Sequence, residues 1–179
     1  MVKSKFFIYI PILLLIATLN PLVLSYIRVT PVALMLAHYS LFASGLLLGY
    51  GLLKGSKFGL IGVIPAIVFH YPELFVLSAI NPFVTAIDFT FMFLGGLLLG
   101  SSLKAIGYWL KVTLFVLYMI GDTALAVLFV AYFPIYSPPA VPFSPYTTGE
   151  FVLLGYIMFA IMNGILAYVM VDILRKLLL

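Results

Sequence analysis

The chain has 179 residues, of which 65% are hydrophobic and only 8% charged, and its mean hydropathy is +1.30. Roughly a quarter of a soluble domain is charged, so this composition excludes a water-soluble protein and makes lipid the solvent of the fold. The net charge of +4 is too small and too dispersed for nucleic-acid binding. The absence of cysteine excludes disulfides, thiolate metal sites, cysteine-ligated iron–sulfur clusters and c-type haem.

A spanning helix needs about 20 mainly apolar residues, so the length accommodates six spans with short connections in a single transmembrane domain, 1–179. The first is expected from Phe6 to Leu24, behind Lys3 and Lys5. Its basic start and apolar core resemble a signal peptide, but no small-x-small cleavage site follows. Leu22-Val23-Leu24 also prolongs the apolar run beyond Asn20-Pro21, so a permanent helix is expected. Pro11 lies near its start, and Pro21 is expected to distort its far end.

The second span opens at Thr30-Pro31, with proline near a first helical position, and runs to about Leu53, before Lys54-Gly55-Ser56-Lys57. The third runs from Phe58 to about Ile80 and is interrupted by His70-Tyr71-Pro72-Glu73. Asn81-Pro82 opens the fourth, which stops at Lys104. The fifth covers Lys111 to Phe133 and carries Asp122. Pro134 to Glu150 contains five prolines and cannot be a regular element, which makes it the one substantial loop. The last span runs from Phe151 to about Val171, with Asn163 in its middle and Asp172, Arg175 and Lys176 after it.

Cations collect on the cytoplasmic side of membrane proteins. With the amino terminus inside, Lys3, Lys5, Lys54, Lys57, Lys104, Lys111, Arg175 and Lys176 fall on the inner side and Arg28 alone on the outer. The expectation is a multi-pass protein of the cell membrane with both termini cytoplasmic and the proline-rich loop, 134–150, outside. A shift of 51 residues lays Phe42 on Phe93, Gly45 and Gly49 on Gly96 and Gly100, and Leu74, Val76 and Leu77 on Leu125, Val127 and Leu128. This suggests an all-α bundle in which spans 2–3 and 4–5 are a tandem duplication of a two-helix unit.

Ionisable groups inside a bilayer are costly and normally face protein or water. His38 and Asp88 each lie about seven residues into spans that start outside, about 10 Å below the outer surface. His70, Asp122 and Glu73 fall in the same half, where Tyr39, Tyr71 and, deeper, Asn163 could join them. His38, Phe42, Gly45 and Gly49 share one helical stripe, as do Asp88, Met92 and Gly95 or Gly96. Small residues four apart argue for close helix packing at Gly45, Gly49, Gly96 and Gly100 and for nothing more.

Three readings follow. In the first, the cluster is a structural network in which His38 bonds Asp88 or Asp122 and holds the helices in register. Alternatively His38 and His70 ligate b-type haem or copper, since neutral imidazoles on neighbouring helices at one depth are what such a site requires. In the third, Asp88, Asp122, Glu73 and the histidines form a proton or cation path, but the inner half has no acid to continue it. No Gly-x-Ser-x-Gly or His-Glu-x-x-His motif supports hydrolysis. The favoured expectation is a non-catalytic subunit or accessory or assembly factor of a larger, respiratory membrane complex, without its own cofactor and partnered by lipid and other membrane subunits; the runner-up is a small transporter or proton- or cation-conducting membrane protein.

Four stretches carry a family resemblance: His38-x-x-x-Phe42-x-x-Gly45-x-x-x-Gly49, Phe69-His70-x-Pro72, Asp88 with Gly95-Gly96-x-x-x-Gly100, and Gly121-Asp122-Thr123-Ala124-Leu125-Ala126. Together they resemble a family of archaeal membrane proteins classed as domain of unknown function 1404, over nearly the whole chain. The resemblance brings no established activity. It implies a Glu-His pair in the fourth span where this chain has Asp88-Phe89, so one potential metal ligand is missing here. A broader likeness to polytopic factors that assist cytochrome oxidase assembly is at fold level only.

Overall fold

The computed structural model describes residues 2–178, with 2–4, 173 and 176–178 by backbone alone, so the side chains of Lys3 and Lys176 lie outside the described residues. Everything regular in the described residues is helical: α1 (Val2–Thr18), α2 (Pro21–Tyr26), α3 (Pro31–Leu52), a 3₁₀ segment (Lys57–Val63), α4 (Ile64–Val68), α5 (Pro72–Ile80), α6 (Pro82–Ser102), α7 (Tyr108–Val130) and α8 (Thr148–Leu178).

Local chemistry sets the boundaries. Thr30 and Asn81 take extended backbone and accept hydrogen bonds from Val32 N, and from Phe83 N and Val84 N, ahead of Pro31 and Pro82. A proline at a first helical position gives up no hydrogen bond, because that amide has no partner in the helix anyway. Asn20 does the same for α2. As a result the expected first span is split at Asn20-Pro21 into a helix of 17 residues and one of 6, and Pro11 stands well inside α1. The start of α8 is a reciprocal box: Glu150 Oε2 accepts from Thr147 N at 2.7 Å, and Thr147 Oγ1 accepts from Glu150 N at 3.4 Å.

Four helices are long and apolar enough to cross a membrane: α3, α6, α7 and the Thr148–Asp172 part of α8. A fifth crossing arises if Lys57–Val68 and Pro72–Ile80, bent by 77°, form one broken span. Four to five such elements among the described residues are consistent with a multi-pass membrane protein. The expected six are not shown, because α1 alone is shorter than a span once Asn20-Pro21 ends it.

The expected duplication of a two-helix unit is not supported either. The third span is broken at His70-Pro72, whereas its supposed copy, α7, is one unbroken helix. Only α3 and α6 resemble each other in their packing. A Cβ on Gly45 would lie 2.0 Å from Phe93 O and one on Gly49 2.0 Å from Leu97 O, while Gly96 and Gly100 meet Phe42 O and Leu46 O at 2.1 Å. These are contacts of backbone on backbone in which each helix gives the other the same residues, and no side chain fits between them. Gly59 and Gly62 of the 3₁₀ segment press equally closely on Leu98 O and Gly95 O of α6, so α6 is gripped from two sides.

The ends of the bundle differ. At one, Lys104 Nζ donates to Leu53 O at 3.3 Å and lies 5.3 Å from the centroid of the Tyr50 ring. At the other, where α3 and α6 begin, the segment 134–150 folds back over the helices. Tyr136 donates its hydroxyl to His70 O and Tyr146 to Ile27 O, and Ser137 Oγ and Thr148 Oγ1 pair at 2.7 Å. Tyr136, Val141 and Tyr146 are buried with Phe75, Phe129 and Phe151, in ring contacts such as Tyr136–Phe75 at 5.4 Å and Tyr136–Phe129 at 5.2 Å. The proline-rich loop is thus a packed lid, and the apolar core lies directly beneath it.

Candidate functional site

Beneath the lid the two parallel helices α3 and α6 each bury one ionisable residue. His38 and Asp88 are both 0% exposed, and His38 Nε2 lies 2.7 Å from Asp88 Oδ2. Because a carboxylate accepts, Nε2 carries the proton and donates it, which leaves His38 Nδ1 with a bare lone pair. Neither His38 Nδ1 nor Asp88 Oδ1 has any partner. Phe75 and Phe89 stand edge-on to the His38 ring at 5.6 and 6.3 Å.

The break in the third span delivers the second imidazole. The helix α4 ends at Val68, so its last carbonyls have no amide of a following turn to accept from. His70 Nδ1 donates to one of them, Ala66 O, at 2.5 Å. The remaining nitrogen, Nε2, faces Met35 Sδ of α3 at 3.3 Å. The two histidine rings are 5.2 Å apart at 63°, and Tyr136 covers the His70 carbonyl from the lid.

The structure brings His38, His70 and Asp88 together and separates the other expected members. Asp122 belongs to a second, half-buried site, where Tyr39 of α3 donates its hydroxyl to Asp122 Oδ2 at 2.7 Å. Glu73 is exposed in the first turn of α5, and Tyr71 is 59% exposed. Asn163 is exposed on α8, where its Nδ2 donates to Phe159 O one turn back at 2.8 Å. A side chain satisfied by its own helix needs no neighbour, so Asn163 is no part of the cluster. Sequence reasoning missed Met35, which is 0% exposed. Its signal was its place one turn before His38 on the same stripe.

The geometry limits the chemistry. Bis-imidazole ligation of a haem needs the two rings on opposite faces of a porphyrin. Here they meet edge to face and are closed in by Phe75, with no plane left for the macrocycle. Among the described residues no three His, Asp or Glu side chains stand together as a metal-binding group. Directly between α3 and α6 no space is left toward the lysine end, because Gly45, Gly49, Gly96 and Gly100 bring the two backbones into contact. A groove between α1–α2 and α3, lined by Thr18, Tyr26, Thr30, Leu36 and Ser40 among others, contains neither His38 nor Asp88.

The lid tyrosines are protonated well beyond the ordinary alkaline range. Burial raises Tyr136 and Tyr146 first, and the carboxylates of Glu73 and Glu150 add to it respectively.

No curated protein and no solved structure matches the chain. Residues 9–176 match a family described as "Protein of unknown function (DUF1404)". That stretch contains the whole of α3 to α7, both histidines, Asp88 and the lid, and the protein belongs to the DUF1404 family.

Proposed function

We propose that this protein is a non-catalytic integral-membrane subunit or accessory factor of a larger membrane complex, which acts by packing its spans against other membrane proteins. The observation that carries this reading is the poor cover of α7. It is the most apolar of the long helices jointly with α8, yet only 11% of its spanning window is buried, against 44% for α3. Leu117 and Ile120 are each 59% exposed, beside the half-buried Asp122, an acid whose cost in lipid falls when a partner helix covers it.

The topology proposed with it has six crossings, both termini cytoplasmic and 134–150 outside. Support for α1–α2 as a crossing comes from its course along α3: Phe7 packs on Tyr50 at 5.4 Å, while Ala17 and Thr18 share a groove with Ala33 and Ala37. The pair therefore runs beside nearly the full length of a spanning helix. The cation imbalance supports the orientation.

A photo-crosslinking amino acid at Leu117 or Ile120, activated in native membranes, tests the reading. A crosslink to another membrane protein is expected, and adducts with lipid alone would refute it. For the orientation, a cysteine at Ser144 should react with an impermeant thiol reagent in intact cells, and labelling only after lysis would reverse it.

A further inference from the structure

We infer that His38, His70 and Met35 form a binding site for a single soft monovalent cation, Cu(I), with Asp88 fixing the His38 ring from behind. The inference starts from where protons can be. His70 Nδ1 faces the carbonyl of Ala66 at 2.5 Å, and a carbonyl only accepts, so the imidazole proton is on Nδ1. In the neutral ring Nε2 is then a lone pair. It points at Met35 Sδ at 3.3 Å, and a thioether has no proton to offer. Two electron-pair donors thus face each other. His38 repeats the arrangement: Nε2 donates to Asp88, and Nδ1 is a fully buried lone pair without a partner.

Buried polar atoms are nearly always satisfied. His38 Nδ1 has no partner and His70 Nε2 has only a thioether opposite it, so a cation that accepts lone pairs would satisfy both nitrogens at once. The spacing fits one ion. Two imidazoles that ligate a tetrahedral metal at about 2.0–2.1 Å have ring centroids about 5 Å apart, and the His38 and His70 rings are 5.2 Å apart. A nitrogen and a sulfur bound to one such metal lie about 3.5 Å apart, close to the 3.3 Å between His70 Nε2 and Met35 Sδ.

The donor set selects the metal. A thioether is a soft ligand that favours Cu(I), whereas Mg²⁺ and Ca²⁺ require oxygen donors. A ligating histidine normally gives its other N–H to a carboxylate or a carbonyl. Here His38 has Asp88 and His70 has Ala66 O. Charge balance agrees as well. Asp88 is an acid at 0% exposure whose Oδ2 accepts from the neutral His38 ring, and a monovalent cation held by three neutral ligands offsets one carboxylate. The site is independent of the proposed subunit role, which the crosslinking experiment judges alone.

The test is anaerobic titration of the purified full-length protein in detergent with Cu(I) against a competing chromophoric chelator, followed by X-ray absorption on the loaded sample. One Cu(I) per chain is expected, with nitrogen and sulfur scatterers and a raised melting temperature. Met35→Leu conserves volume and His70→Asn keeps a polar side chain. Each should weaken binding at least tenfold, while Met158→Leu, at a buried methionine of α8 that is not a proposed ligand, should leave it unchanged. Failure of the folded wild-type protein to bind Cu(I), preference for Zn(II), or a sulfur-free metal shell would each overturn the inference, and the last needs no variant. Unchanged affinity in both folded Met35→Leu and His70→Asn would do the same.

Discussion

Within one helix pair the two halves are built on opposite principles. Toward the lysine end, α3 and α6 touch through Gly45, Gly49, Gly96 and Gly100 with nothing but backbone at the contact. Toward the lid, the same helices are held by two buried ionisable side chains, His38 and Asp88, 2.7 Å apart. The glycine half has no room for an added atom, whereas the histidine half is expected to accept exchange of one polar group for another. Stiffness at one end lets the other keep an electrostatically expensive cluster in register.

The largest effect expected is therefore at the glycines. Gly96→Leu or Gly45→Leu places a Cβ about 2 Å from a backbone carbonyl. No rotamer relieves that overlap, so the helices must separate, at a cost of about 3 kcal/mol or more. A thermal melt in detergent measures it, and unchanged melting would mean that the contact does not exist.

Substitution at His38 ranks next and is graded by what it leaves behind. His38→Leu orphans the Asp88 carboxyl, a penalty of about 1–3 kcal/mol, limited because the acid can take up a proton. His38→Gln retains a donor and should cost about 0.6 kcal/mol, the average for an interhelical bond in membranes. Equal losses for leucine and glutamine would show that the hydrogen bond is not what holds this half together.

The lid should respond to alkali. Tyr136 and Tyr146 have pKa values raised by burial above the usual value of about 10. A group whose folded pKa is raised contributes stability that is complete below its unfolded pKa and is lost as pH rises past it. Melting temperature should hold up to about pH 10 and fall beyond it. The fall should be shallower in Tyr136→Phe and Tyr146→Phe, and a parallel decline in all three proteins would exclude the lid tyrosines.

The smallest effect is a gain. Tyr132 closes α7 in the left-handed conformation at φ 64°, with Tyr132 N bonded to Phe129 O and Phe133 N to Leu128 O, a bonding pattern that glycine usually completes. Tyr132→Gly should stabilise by about 1 kcal/mol by removing the Cβ clash, and a destabilised variant would mean that the exposed ring makes contacts worth more than the strain.

Helix starts were legible where a capping side chain precedes proline, as at Thr30-Pro31 and Asn81-Pro82, because the local chemistry there is complete in two residues. The Thr147-x-x-Glu150 box was equally local and marks the start of α8 inside what reads as loop. The pairing of His38 with Asp88 was foreseeable from equal depth, with Asp122 as the competing partner. What decided between them is that α6, not α7, lies against α3 through the glycines. Asn163 and Glu73 misled because depth places a residue along a helix and says nothing about which face it occupies. The repeat misled for a related reason: leucine and valine match at many offsets, and the break at Pro72 has no counterpart in α7.

The reciprocal contact of α3 with α6 has a consequence during synthesis. Since each helix offers the other the same aromatic-glycine surface at a spacing of 51 residues, α3 is complementary to itself as well as to α6. A ribosome adding 5–20 residues per second leaves α3 waiting about 3–10 s for its partner. During that interval two nascent chains on one messenger carry matching surfaces in the same bilayer. The order in which helices leave the translocon, and the spacing of ribosomes, then govern whether the pair closes within a chain or between chains.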